Sequence, residues 1–225
     1  MAQPDQFTPK AFFRLLELRL ASPKPGWAAQ SLLLPQPRPG QIPFPQAEAL
    51  CRKAGVLILL YPAGHRLHIL FTRRTEDVLH HRGEISFPGG ARKKNEDIIR
   101  TAVRETREEL NIAPDSYRIL GTLTPLYIPP SRFCIYPAAG GALSRPGFVP
   151  DPREVKEIIE IPLDHLLNKK NMEIEFWILR GEKRKIPFYC FRENKIWGAT
   201  AMVLSEFLTL IKDVKRNRGM ENGEL

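Results

Sequence analysis

The chain has 225 residues, a formal net charge of +9 at pH 7 and 43% hydrophobic content. That suits one domain with an appended arm and excludes a membrane-spanning protein, since even the apolar run at residues 56–61 has only strand length. The basic residues are scattered, with local concentrations at 92–94, 183–185 and 212–218, and no aromatic-interleaved platform of the kind that stacks bases. A small polyanionic substrate steered by positive charge is therefore favoured over nucleic acid.

In chain order, Thr8-Pro9 opens a predicted helix through about residue 21, with Phe12, Phe13, Leu16 and Leu20 on one side. Seven prolines between residues 22 and 45 predict an extended connector, so residues 1–45 form an N-terminal helix and proline-rich arm. The main domain is expected over residues 46–212. Within it, strands at 55–61 and 67–72 meet across Pro62-Ala63-Gly64. Residues 85–87 lead into Gly89-Gly90 and a helix over 97–110. Strands at 117–123 and 133–139 flank a stiff loop containing Pro125, Pro129 and Pro130, a natural cleft wall. An acidic segment follows, with Glu157 read on a loop and Pro162 opening a short helix. Strands at 173–179 and 187–191 come next, then a final helix at 197–211 and a charged, frayed tail at 213–225. Helices and strands mix without regular alternation, which gives an α/β or α+β class.

Three widely separated cysteines, Cys51, Cys134 and Cys190, read as free buried thiols of a reducing compartment. The N-terminal stretch has no signal-peptide apolar core, so a soluble cytoplasmic protein is expected.

The helix at 97–110 carries the chemistry. Asn95 is the expected N-cap, Glu96 and Asp97 fall in the first turn, and Asn111 suits a left-handed end. Ile99, Ala102, Val103, Thr106 and Leu110 form a mostly apolar stripe. Beside it Glu105, Glu108 and Glu109 stand at i, i+3 and i+4 on one face. Like charges at that range repel, and a hard divalent cation, Mg²⁺ with a substrate phosphate, would offset them. A solvated face with weak pairs such as Arg104–Glu108 is the plain alternative. The flank Phe87-Pro88-Gly89-Gly90 shifts the balance, because its glycines let backbone carbonyls approach an ion.

Gly90, then Glu96, then Arg104-Glu105-Thr106-Arg107-Glu108-Glu109-Leu110-Asn111-Ile112 resembles the Nudix box. Thr106 departs from the usual aliphatic residue and Asn111 from the usual Gly. A second block, Leu70-Phe71-Thr72-Arg73-Arg74 through His81-Arg82-Gly83 to Phe87-Pro88-Gly89-Gly90, resembles the coenzyme A pyrophosphatase group. So do Glu154-Val155-x-Glu157 and the segment 196–201. Leu79 departs from that group, where many members carry an Arg.

The resemblance implies an α/β/α sandwich around a mixed sheet, and Mg²⁺ or Mn²⁺ held by Glu105, Glu108, Glu109 and the Gly90 carbonyl. It implies hydrolysis of a nucleoside diphosphate derivative, with coenzyme A as the leading substrate. ADP-ribose, NADH, dinucleoside polyphosphates and a non-catalytic nucleotide or RNA binder stay open. Glu108 and Glu157 are the candidate bases. Arg74, His81, Arg82 and Gly89 are the candidate substrate contacts, with Glu96 and Arg104 as structural support. The arm could clasp a second subunit, which leaves a homodimer open, or fold back on its own chain.

Overall fold

A computed structural model describes residues 8–75 and 83–217. The expected contacts His81 and Arg82, and the departure at Leu79, lie outside the described residues. The helices are α1 (Pro9–Ala21), α2 (Trp27–Gln30), α3 (Phe44–Glu48), α4 (Ile98–Leu110), α5 (Leu163–Leu167) and α6 (Gly198–Arg216). The strands are β1 (Arg52–Ala63), β2 (Arg66–Arg74), β3 (Ile85–Ser86), β4 (Gly89–Ala91), β5 (Arg118–Thr122) and β6 (Leu126–Ile128). After them come β7 (Phe133–Gly141), β8 (Val155–Pro162), β9 (Met172–Leu179), β10 (Glu182–Phe191) and β11 (Asn194–Trp197).

Among the described residues eight strands form one sheet in the order β3-β2-β1-β7-β5, with β4 on β1, β6 on β7 and β8 on β2. β1 and β7 run parallel and the other pairs antiparallel, so the sheet is mixed. Its centre is β1, whose continuous apolar run is what a strand covered on both faces requires. Alternation sends Leu57, Leu59 and Tyr61 toward Ala102 and Leu110 of α4. Ile58 and Leu60 go the other way, into a cluster with Phe12, Leu16 and Phe207 of α1 and α6. The result is the expected α/β/α sandwich. Among the described residues no helix is long and apolar enough to cross a membrane.

The arm is packed, against the expectation of an extended connector. Between the prolines, Trp27–Gln30 and Ser31–Leu33 form helical turns that bury Ala29, Gln30 and Leu33. Their anchor is Glu206, fully buried on α6. It accepts hydrogen bonds from the Gly26 N–H (3.2 Å), Gln30 Nε2 (2.8 Å), and the N–H and hydroxyl of Thr124 (3.3 and 2.7 Å). Glu206→Ala leaves the Gly26 and Thr124 donors without this acceptor, and Gln30 Nε2 with the Thr124 carbonyl alone; we expect a loss of about 3 kcal/mol, read as a melting point lower by about 10 °C. The arm thus folds back on its own chain.

Two further expectations are corrected. α6 continues to Arg216, into the frayed tail expected at 213–225, because Val214 is buried and Arg19 of α1 holds Asp213 at 2.9 Å. Cys51 and Cys134 form a disulfide, with Cα atoms 5.7 Å apart, and only Cys190 is free. The parallel register that sets Lys53 beside Cys134 brings these residues together across 83 positions of sequence. The compartment argument built on three free thiols loses its footing.

Candidate active site

Glycines let α4 lie against the sheet. A Cβ at Gly55 of β1 would stand 2.5 Å from the Ile98 carbonyl oxygen and 2.9 Å from the Ala102 nitrogen. Gly89, at φ +152°, faces the Gly55 carbonyl at 2.3 Å from where its Cβ would be. At Gly90 the added atom would fall 2.5 Å from the Glu105 carboxyl carbon. Gly89, expected as a substrate contact, is therefore first a junction between β4 and β1. Its N–H also donates to the Glu109 carboxylate.

α4 begins one turn position later than the sequence reading sets it. Asp97 is the N-cap, accepting from the N–H groups of Ile99 and Arg100, while Asn95 sits in a turn at φ 60°. Both residue types cap well, and the side-chain geometry selects Asp97. Asn111 ends the helix in the left-handed region, φ 50° and ψ 32°, as its residue type predicts.

Glu96 is left just ahead of the helix, where it accepts from Arg104 Nε (2.7 Å), the Thr101 hydroxyl (2.9 Å) and the Lys93 N–H (3.1 Å). The Arg104 guanidinium pulls its carboxyl down to about 2, helped by the Lys93 and Thr101 hydrogen bonds against a burial penalty. Arg104 also reaches Glu105 Oε1 at 2.8 Å and Glu108 Oε2 at 2.7 Å. The repulsion inferred from the i, i+3, i+4 spacing is thus relieved at two of the three glutamates by the chain's own cation. Glu108, half-exposed, also meets Lys93 at 3.4 Å.

Glu109 is the exception. It is only 2% exposed, lies 3.6 Å from Arg74, and its Oε2 has no hydrogen-bond partner among the described residues. Burial raises its carboxyl to about 8; Arg74 and the Gly89 N–H oppose the rise, and the charges of Glu154 and Glu105 add to it. Burial also raises Glu105, against its pairing with Arg104. Among the described residues no three acidic, His or Cys side chains close into a tight ligand set.

Glu154 was missed. Its charge acts on both Glu105 and Glu109. The loop that carries it is tied to the end of α4, with the Asp151 N–H on the Glu109 carbonyl (2.8 Å) and the Val149 N–H on the Leu110 carbonyl (2.9 Å). Glu157, the expected base, is on β8 and not on a loop. It pairs across the ladder with Arg73, whose Nε donates to it at 3.0 Å. Ile159 and Ile161, which share its alternation along β8, belong to the cluster on the α1/α6 side. That takes Glu157 to the sheet face away from α4.

Alternation along β2 separates the two arginines: Arg73 binds Asn194 and Glu157, and Arg74 turns to Glu109, while the ladder skips Lys156 of β8 between them. Of the two acids in the block Glu154-Val155-x-Glu157, the strand register fixes the face of Glu157, and Glu154 precedes the strand. Trp197, at the end of β11, packs edge-on against Trp177 at 5.3 Å. We expect Glu154→Gln to lower turnover by about tenfold or more, and Glu157→Gln by less than about threefold; steady-state rates of the two variants check this.

The chain matches the NUDIX domain family model over residues 52–178. It is 33% identical over 168 residues to a Pectobacterium atrosepticum protein named uncharacterized Nudix hydrolase NudL, covering 72% of this chain and 84% of that protein. It is 33% identical over 162 residues to a human protein named mitochondrial coenzyme A diphosphatase NUDT8, covering 70% and 69%. A NudL of Photorhabdus laumondii is 35% identical over 148 residues, covering 61% and 74%. The matched span holds the central strand, the glycine junction and the glutamate-bearing helix, and the chain belongs to the Nudix hydrolases.

Proposed function

We propose that this Nudix hydrolase is a divalent-metal-dependent pyrophosphatase that cleaves coenzyme A or acyl-coenzyme A to 3′,5′-ADP and phosphopantetheine or its acyl derivative. The observation that carries the catalytic reading is the Glu109 carboxylate, buried with one oxygen that has no hydrogen-bond partner among the described residues. A buried ionisable group in that state is completed by a ligand of opposite charge. The missing Cβ at Gly90 leaves the space occupied by the Glu105 carboxylate, so the residues fit a hard, oxygen-seeking cation.

Glu105, Glu108 and Glu109, with the Gly90 carbonyl, are the groups that would hold Mg²⁺ or Mn²⁺. Bound there, the ion neutralises charge on the diphosphate and acidifies the attacking water. Arg74, already beside Glu109, supplies a guanidinium for the phosphate oxygens. Glu154 takes the proton from the attacking water as the water oxygen bonds to one phosphorus and the bond from that phosphorus to the bridging oxygen breaks, the other phosphate leaving with the bridging oxygen; Glu108 is the other candidate base. Arg104 keeps Glu96 and the α4 carboxylates in register. The coenzyme A reading rests on the segments 70–90, 154–157 and 196–201, and on relatives named coenzyme A diphosphatase.

The test incubates purified protein with coenzyme A and either ion and identifies the products by mass. We expect equal amounts of 3′,5′-ADP and 4′-phosphopantetheine, and no turnover after chelation. Intact coenzyme A beside cleaved ADP-ribose, NADH or dinucleoside polyphosphate would reassign the substrate. Turnover that survives chelation would refute the metal dependence.

A further inference from the structure

β9 carries a pattern that folding of one chain does not explain. Met172, Ile174, Phe176 and Ile178 alternate along it and are 39, 49, 65 and 70% exposed. Alternation normally places apolar residues inward, and here the inward face holds Trp177, packed on Phe188 and Trp197. β9 is also an edge: among the described residues its one strand neighbour is β10. An exposed apolar edge strand presents unpaired N–H and C=O groups to another chain. Its acids, Glu173 and Glu175, are on the other face, and Glu175 is paired with Lys195 at 2.7 Å.

We propose that β9 is an interface for a second copy of this chain, the two β9 strands pairing antiparallel about a two-fold axis through Phe176. The inference is independent of the substrate. Side-chain complementarity fixes the register. With Phe176 opposite Phe176 of the other copy, Ile174 meets Ile178, Glu175 meets Trp177 and Glu173 meets Leu179. Aromatic and branched apolar pairs then lie on one face, and no like charges stand directly opposite. Moving the axis to Glu175 sets two glutamates face to face, and a slip of one position turns the apolar stripe to the wrong side. The pairing is isologous, so it closes as a dimer and joins two three-stranded sheets into one. Lys183, whose ammonium lies over the Phe176 ring at 5.0 Å, and Lys185 border the stripe from β10.

Sedimentation velocity over a range of concentrations tests this. We expect a reversible dimer of the full chain. Phe176→Lys raises its dissociation constant by about a hundredfold while melting point and turnover stay as in the wild type. In a Cys190→Ser background, Phe176→Cys cross-links two chains when oxidised glutathione accepts the two thiol electrons and leaves as two reduced molecules. A monomer at every concentration overturns the proposal, and so does a dimer that Phe176→Lys leaves intact. A dimer without the cross-link overturns the register. A monomer that sediments with phosphatidylserine vesicles reassigns the stripe to a lipid surface.

Discussion

Glu109→Gln is expected to lower turnover by about a hundred- to a thousandfold while the protein melts no lower than the wild type. The two halves of this result have one cause. The side chain is 2% exposed, and burial disfavours its ionised form strongly enough to lift the carboxyl to about 8. A neutral amide of the same shape removes that penalty, and with it the negative oxygen that a cation needs. Glu108→Gln shares the first half, with less effect on melting because Glu108 is half-exposed. Paired rate and thermal-melt measurements decide the matter. If activity is lost only through unfolding, the carboxylate is structural and the metal assignment fails.

The second large effect separates two neighbouring glycines. Gly55→Ala should cost about 3 kcal/mol and lower the melting point by about 6–12 °C, because the new methyl meets the backbone of α4, which has nowhere to yield. Gly90→Ala should keep most of its stability and lose about a hundredfold in turnover. Its methyl meets only the end of the Glu105 side chain, which can swing aside but then leaves the place where it is needed. Equal losses of stability in the two variants would show that the Gly90 contact is packing rather than a means of placing Glu105.

The part of the site that could be read in the sequence is the part built within a few turns of chain. Glu96 and Arg104 meet across eight positions, Asn111 takes the left-handed cap that its short amide tolerates, and Arg74 faces the carboxylates. Asp97 displaced Asn95 as N-cap because propensity ranks the two alike and only the path of the loop distinguishes them. The arm was misread for a different reason. Its prolines are conspicuous, but the apolar turns between them are held by Glu206, nearly two hundred positions away.

The sequence by itself determined the α/β or α+β class and the helix that carries the glutamates, since periodicity and motif spacing are local properties of the chain, and its resemblance to the Nudix family implied the layering. Tertiary structure decided which of those charges remain unpaired. Arg104 satisfies Glu105 and Glu108, and of the three glutamates Glu109 is the one buried with an oxygen that has no hydrogen-bond partner among the described residues. It also decided that Glu157 pairs with Arg73 on the face away from α4, and that Cys51 reaches Cys134. The last two depend on the register between distant strands, where one step along a strand turns a side chain to the opposite face.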